Sequence, residues 1–88
     1  MEVTFDKSFS KSLDKINDKI ILKRIEKAIL QCELVSELNQ ISNLKKMVGF
    51  QNFFRIKIGD YRIGIEVINQ TIDFLVVTHR KDIYKKFP

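Results

Sequence analysis

The sequence predicts an α+β domain: a short N-terminal strand, then an antiparallel helical hairpin packed on one face of a three- to four-stranded antiparallel sheet. Three observations carry this reading. Apolar residues recur at helical spacing through the first half of the chain, the spacing changes to alternation from Phe50 onward, and Gly59-Asp60 interrupts that alternation as a two-residue turn. The 88 residues make one domain, 1–88, with no room for a second core. A chain of this size buries only about 60–65% of the surface that its unfolded form exposes.

The elements follow in order. Glu2-Val3-Thr4-Phe5 has strand composition, and Asp6 or Ser8 can cap the helix that follows. Phe9, Leu13, Ile16 and Ile20 recur at spacings of four, three and four, and Ile21, Ile25, Ala28, Ile29, Cys32 and Val35 continue the period. Asn17-Asp18 between the two sets ends the first helix and caps the second, because their side-chain oxygens can accept the free amides of a new first turn. Lys7, Lys11, Lys15, Lys19, Lys23 and Lys27 stand at four-residue steps, drift slowly around the helices and form a solvated face. Leu44 to Val48 is a Lys-rich candidate for a further strand. Phe54, Ile56 and Ile58 alternate with Phe53, Arg55 and Lys57, and Tyr61, Ile63, Ile65 and Val67 alternate with Arg62, Gly64 and Glu66. A last strand, Ile72 to Thr78, follows the polar connection Asn69-Gln70.

Composition narrows the function classes. The single Cys32 forms no internal disulfide, and His79 is the only other soft ligand, so neither a zinc cluster nor another metal or cofactor is expected. A reducing, cytoplasmic setting follows. No apolar run approaches the roughly 20 residues of a membrane span, and the N-terminal stretch lacks the apolar core of a leader. Neither membrane nor secretion is expected. The net charge of +5 favours a polyanionic partner. Residues 1–49 hold 9 basic and 7 acidic groups, residues 50–88 hold 7 and 4, so the surplus is denser in the sheet half.

The two-residue turn fixes a register: Ile58 opposite Tyr61, Lys57 opposite Arg62, Ile56 opposite Ile63, Arg55 opposite Gly64 and Phe53 opposite Glu66. Phe54, Ile56, Ile63 and Ile65 then share the helix-covered face, and Arg55, Lys57, Arg62 and Glu66 share an open one, with Arg62 exposed. Like charges directly opposite one another oppose folding, so Lys57 facing Arg62 calls for an anion such as a phosphate between them, unless their stems splay into solvent. A two-residue turn at Asn69-Gln70 would add Asp73, Leu75, Val77 and His79 to the open face. Arg80, Lys81 and Tyr84 lie just beyond, near Ile83 and Phe87, where Tyr84 could equally be an aromatic lid. A face of Arg, Lys, His and Tyr suits RNA cleavage by the substrate's own 2′-hydroxyl, which needs cations for the phosphorane charge and weak acids and bases for protons, but no protein nucleophile. No Ser-His-Asp set, Gly-rich phosphate loop or pair of open-face carboxylates for a metal-dependent nuclease is present.

The run from Phe54 to Ile63, followed by Thr78-His79-Arg80-Lys81-Asp82-Ile83-Tyr84, resembles the RelE side of the RelE/ParE toxin superfamily, and the likeness extends over nearly the whole chain. The resemblance implies a RelE-like fold and the toxin of a type II toxin-antitoxin system: a ribosome-dependent mRNA endonuclease that inhibits translation. It implies as partners a cognate antitoxin protein and mRNA on the ribosome, with its 16S rRNA, while operator DNA is met only through the antitoxin complex. It implies a catalytic set of Arg55, Lys57, Arg62, Arg80 and Tyr84. Well-known members carry Lys where Arg55 stands, and Arg is a poor general base. Proton abstraction then falls to Lys57, Glu66 or His79. A ParE-like inhibitor of DNA gyrase and an inactive antitoxin-binding homologue are the alternatives, and a shared fold does not separate them.

Overall fold

The computed structural model describes residues 1–88. The chain runs β1 (Glu2–Phe5), α1 (Lys7–Leu13), α2 (Lys19–Leu34), a 3₁₀ turn at Leu38–Gln40, β2 (Leu44–Lys46), β3 (Phe53–Ile58), β4 (Tyr61–Ile68), β5 (Thr71–His79) and α3 (Ile83–Lys86). The caps fall where the side-chain chemistry puts them. Asp18 accepts from the amides of Ile20 and Ile21 to start α2, and Asp6 accepts from the amide of Ser8 to start α1. The Ser8 hydroxyl also reaches Asp6, and these two bonds hold its carboxyl below the usual range. The first helix is shorter than its apolar period. It ends at Leu13, so Ile16 enters the core from the connection, and Ile20, expected on the buried stripe, is 72% exposed at the start of α2. All six lysines of the four-residue series are exposed.

The sheet has five strands in the order β1-β5-β4-β3-β2, rather than three or four. The extra strand is β1, which joins as an edge parallel to β5, while every other pairing is antiparallel. The β3–β4 hairpin has the expected register throughout, from Phe53 opposite Glu66 to Ile58 opposite Tyr61. Gly59 supplies the turn with a φ of 57°, in the left-handed region where a missing Cβ removes the steric penalty.

Strand β5 departs from simple alternation. Gly64 pairs with Val76 and Ile65 pairs with Phe74, leaving Leu75 as an extra residue in a β-bulge. Beyond it the faces are exchanged relative to a regular strand: Val77 enters the helix-side core, and Val76 enters a second cluster on the other face. The outer edge of β5 changes partner at the same place. Residues Thr71 to Phe74 pair with β1, whereas beyond them the Ser8 hydroxyl meets the Leu75 carbonyl and the Val77 amide donates to Ser12 Oγ at 3.0 Å.

Two apolar clusters result. The larger lies between helices and sheet and contains Phe9, Ile25, Cys32, Ile56, Ile63 and Phe74 among its 14 residues. The smaller, Met47, Val76, Ile83 and Phe87, lies under α3 on the opposite face, with Phe53 and Leu75 packed against it. The face expected to be open is therefore partly lidded by the C-terminal segment.

Candidate functional site

Pleating alone places the cations. On β3 and β4, Arg55, Lys57 and Arg62 alternate with the core residues Ile56, Ile58 and Ile63, so they project from the face away from α1 and α2. Lys57 stands directly opposite Arg62 and is exposed; Arg55 stands opposite Gly64 and is half-buried. A residue that sequence reasoning passed over joins them. Lys45 on β2 is directly opposite Arg55, so the cationic row spans three strands. The Lys-rich composition of Leu44 to Val48 was its only signal, and a register for β2 was needed to read it.

Arg62 is the centre of this row and is buried, at 9% exposure, rather than exposed as the alternation predicted. The side chain folds back on its own turn. One guanidinium nitrogen donates to the carbonyl oxygens of Gly59 at 2.8 Å and Tyr61 at 2.9 Å, which ties the side chain to the turn. Burial lowers its pKa, with Arg55 and then Arg80 adding repulsion, while Asp60 and Tyr84 act in the opposite sense. Arginine still carries its charge near neutral pH, so the consequence is a buried cation among cations. Arg80 is positioned by its amide, which donates to the Asp60 carbonyl at 2.7 Å, and its Nε lies 3.8 Å from the Asp60 carboxylate in the one ion pair of the domain. Tyr84, on α3, is 69% exposed.

Two of the sequence candidates lie elsewhere. His79 was expected on the open face, but the bulge at Leu75 turns it to the helix side, where its ring meets Tyr61 edge-on at 5.8 Å and its Nδ1 accepts from the Lys81 amide. The same exchange takes Val77 off the open face and into the core, but Asp73 stays there directly opposite Glu66, so the open face does carry a pair of carboxylates, contrary to expectation, at the end of β4 away from Arg62. Glu66 does share the face of Arg62, but at four residues along β4, roughly 13 Å at 3.3 Å per residue. Phe87 packs over Gly64 between them.

The largest concavity, about 520 Å³, is lined by Lys11, Lys15, Phe53, Glu66, Leu75 and Phe87 among others, and by none of the five cationic and aromatic candidates. The cationic row is thus a shallow surface and not an enclosed pocket. No group of three or more His, Cys, Asp or Glu side chains comes together to hold a metal ion, and no helix is long and apolar enough to cross a membrane.

Residues 3–84 match the family described as the ParE toxin of the type II toxin-antitoxin system, parDE. The chain belongs to the RelE/ParE toxin superfamily. Toxin RelE3 of Methanocaldococcus jannaschii is 48% identical over 61 residues, which cover 68% of this chain and 69% of that protein. The toxin in the crystal structure of the RelB-RelE antitoxin-toxin complex from Methanococcus jannaschii is 44% identical, with a TM-score of 0.82 over 97% of this chain and 99% of that one. YoeB from Staphylococcus aureus, solved as a dimer, shares the fold at 17% identity and a TM-score of 0.72, over 90% of this chain and 95% of that one.

Proposed function

We propose that this RelE-type toxin is a ribosome-dependent endoribonuclease that inhibits translation by cutting mRNA. The observation that carries the reading is the convergence of Arg55, Lys57, Arg62, Arg80 and Tyr84 at one end of one sheet face, with a single ion pair among them to offset the charge. In this mechanism the 2′-oxygen attacks the adjacent phosphorus, the P–O5′ bond breaks, and the products are a 2′,3′-cyclic phosphate and a 5′-hydroxyl. Arg62, held by the turn carbonyls, and Arg55 and Arg80 beside it stabilise the phosphorane, the point at which negative charge is greatest. Lys57 and Tyr84 are the groups at the cationic end of that face able to exchange protons with the 2′- and 5′-oxygens, and Tyr84 is exposed enough to stack on a base. His79 and Glu66 take no direct part.

The partner we assign is an antitoxin whose acidic residues cover the cationic row. Relatives solved as RelB-RelE complexes support that assignment. The test is mapping of mRNA 5′ ends in cells shortly after induction of the wild-type chain and of Arg55→Met. New ends within translated codons, absent in the variant, are expected. Growth arrest with intact mRNA and gyrase-linked DNA breaks would instead assign the ParE activity, and absence of arrest would assign an inactive homologue.

A further inference from the structure

Gly64 interrupts a strand whose other seven residues, Tyr, Arg, Ile, Ile, Glu, Val and Ile, all carry large side chains, and backbone freedom is not the reason, since its φ is outside the left-handed region. Space is the reason. A Cβ at Gly64 would lie 2.6, 2.7 and 2.9 Å from Cγ, Cδ1 and Cδ2 of Phe87, closer than real Cβ atoms approach. The Phe87 ring, 3% exposed, is seated on bare backbone, with Phe53 edge-on against it at 5.3 Å and Met47, Val76 and Ile83 around it.

Between the buried Ile83 and Phe87 stands Tyr84, whose hydroxyl makes no hydrogen bond within the protein. The helix that carries it has four residues, too few to hold a shape without tertiary contacts. Its internal bonds run only from Lys85 and Lys86 to the Asp82 carbonyl and from Phe87 to the Ile83 carbonyl. The place of Tyr84 beside Arg62 is therefore set by its two apolar neighbours and not by its own contacts.

We infer that the seating of Phe87 on Gly64 is a latch that positions Tyr84 for the RNA-cleaving step, which makes Gly64 and Phe87 positioning residues. This rests on the proposed nuclease reading and deepens it. Gly64→Ala pushes the ring off its seat and Phe87→Ala removes the ring, so each should release α3 while the cationic row on β3 and β4 stays in place.

Three measurements test the latch. Single-turnover cleavage of ribosome-bound mRNA should slow by about tenfold or more at saturating Gly64→Ala, with less than about a threefold change in the concentration that gives half-maximal rate. Because the latch acts through Tyr84, Gly64→Ala combined with Tyr84→Ala should cleave no more slowly than Tyr84→Ala alone. Amides of Lys85, Lys86 and Phe87 should exchange hydrogen faster in Gly64→Ala, while those of the β3–β4 ladder should not. Multiplying losses in the double variant, a full cleavage rate in Gly64→Ala, or unchanged exchange at 85–87 would each overturn the inference. If Gly64→Ala does not fold, Phe87→Ala carries the same three expectations. A wild-type chain that cleaves nothing sinks the nuclease reading, and the exchange measurement then decides separately whether Phe87 holds α3.

Discussion

Replacing Arg55 with Met is expected to make the free protein more stable and the toxin less active. Arg55 has Lys45 directly opposite on one side and Arg62 and Glu66 on the two diagonals of the other, and it makes no ion pair. Like charges directly across a strand pair cost a few tenths to about 1 kcal/mol, and the two diagonal neighbours, being of opposite sign, largely offset each other. Met retains the apolar stem of this half-buried side chain, so little packing is lost. The net gain is a few tenths to about 1 kcal/mol, which for a domain of this size corresponds to a rise in Tm of at most roughly 4–8 °C. Thermal unfolding at low ionic strength reads it directly. At 1 M salt the screening length falls to about 3 Å, and most of the gain should disappear. A lower Tm for Arg55→Met in dilute buffer, or a gain indifferent to salt, would refute the electrostatic account of this face. Cleavage should fall in the same variant, because the repulsion that destabilises the empty face is what a phosphate relieves.

Other expectations follow from single sites. Ile56→Asp places an unpaired charge at a position 1% exposed and should abolish the cooperative unfolding transition seen by circular dichroism. Ser12→Ala removes the acceptor of the Val77 amide and should cost about 1–2 kcal/mol in urea denaturation. Burial pushes the Cys32 thiol up from 9.0 to about 11. Its folded pKa is the higher one, so its contribution is intact below pH 9 and is lost as pH rises toward 11, on the order of 2–3 kcal/mol. Cys32→Ala should unfold less steeply over that interval, and the wild-type thiol should resist a disulfide reagent at pH 8 until the chain unfolds. Arg62→Ala should abolish cleavage and also weaken the hairpin, since two turn carbonyls lose their donor; a variant with wild-type stability would mean that relief of the repulsion from Arg55 and Arg80 matches what those two bonds contribute.

The β3–β4 hairpin was legible residue by residue because two alternating strands flank a connection that only a tight turn fits, and one turn length fixes every pair. That register delivered Arg55, Lys57 and Arg62 to one face. The faces of β5 were not legible. Phe74-Leu75-Val76-Val77 is apolar throughout, so alternation has nothing to distinguish, and a bulge at Leu75 leaves no mark in composition. His79 was misplaced for that reason alone. The exposure predicted for Arg62 failed for a different one: strand alternation gives the face a side chain leaves from, not the return of its guanidinium to the Gly59 and Tyr61 carbonyls. Similarly, β1 looked like a strand, but its parallel place beside β5 depends on where the intervening helices return the chain.

The change of partner along the outer edge of β5 has a bearing on solubility. Unpaired strand edges are templates for pairing with other chains. Here β1 closes that edge as far as Phe74, and the serine hydroxyls of α1 occupy the backbone groups of Leu75 and Val77 beyond it, so little of it remains to recruit a foreign strand. The other edge is β2, three residues long, two of them the exposed Lys45 and Lys46. A small β-rich domain is thereby guarded against self-association at both ends of its sheet, and at the β2 end Lys45 serves the guard and the cationic row alike.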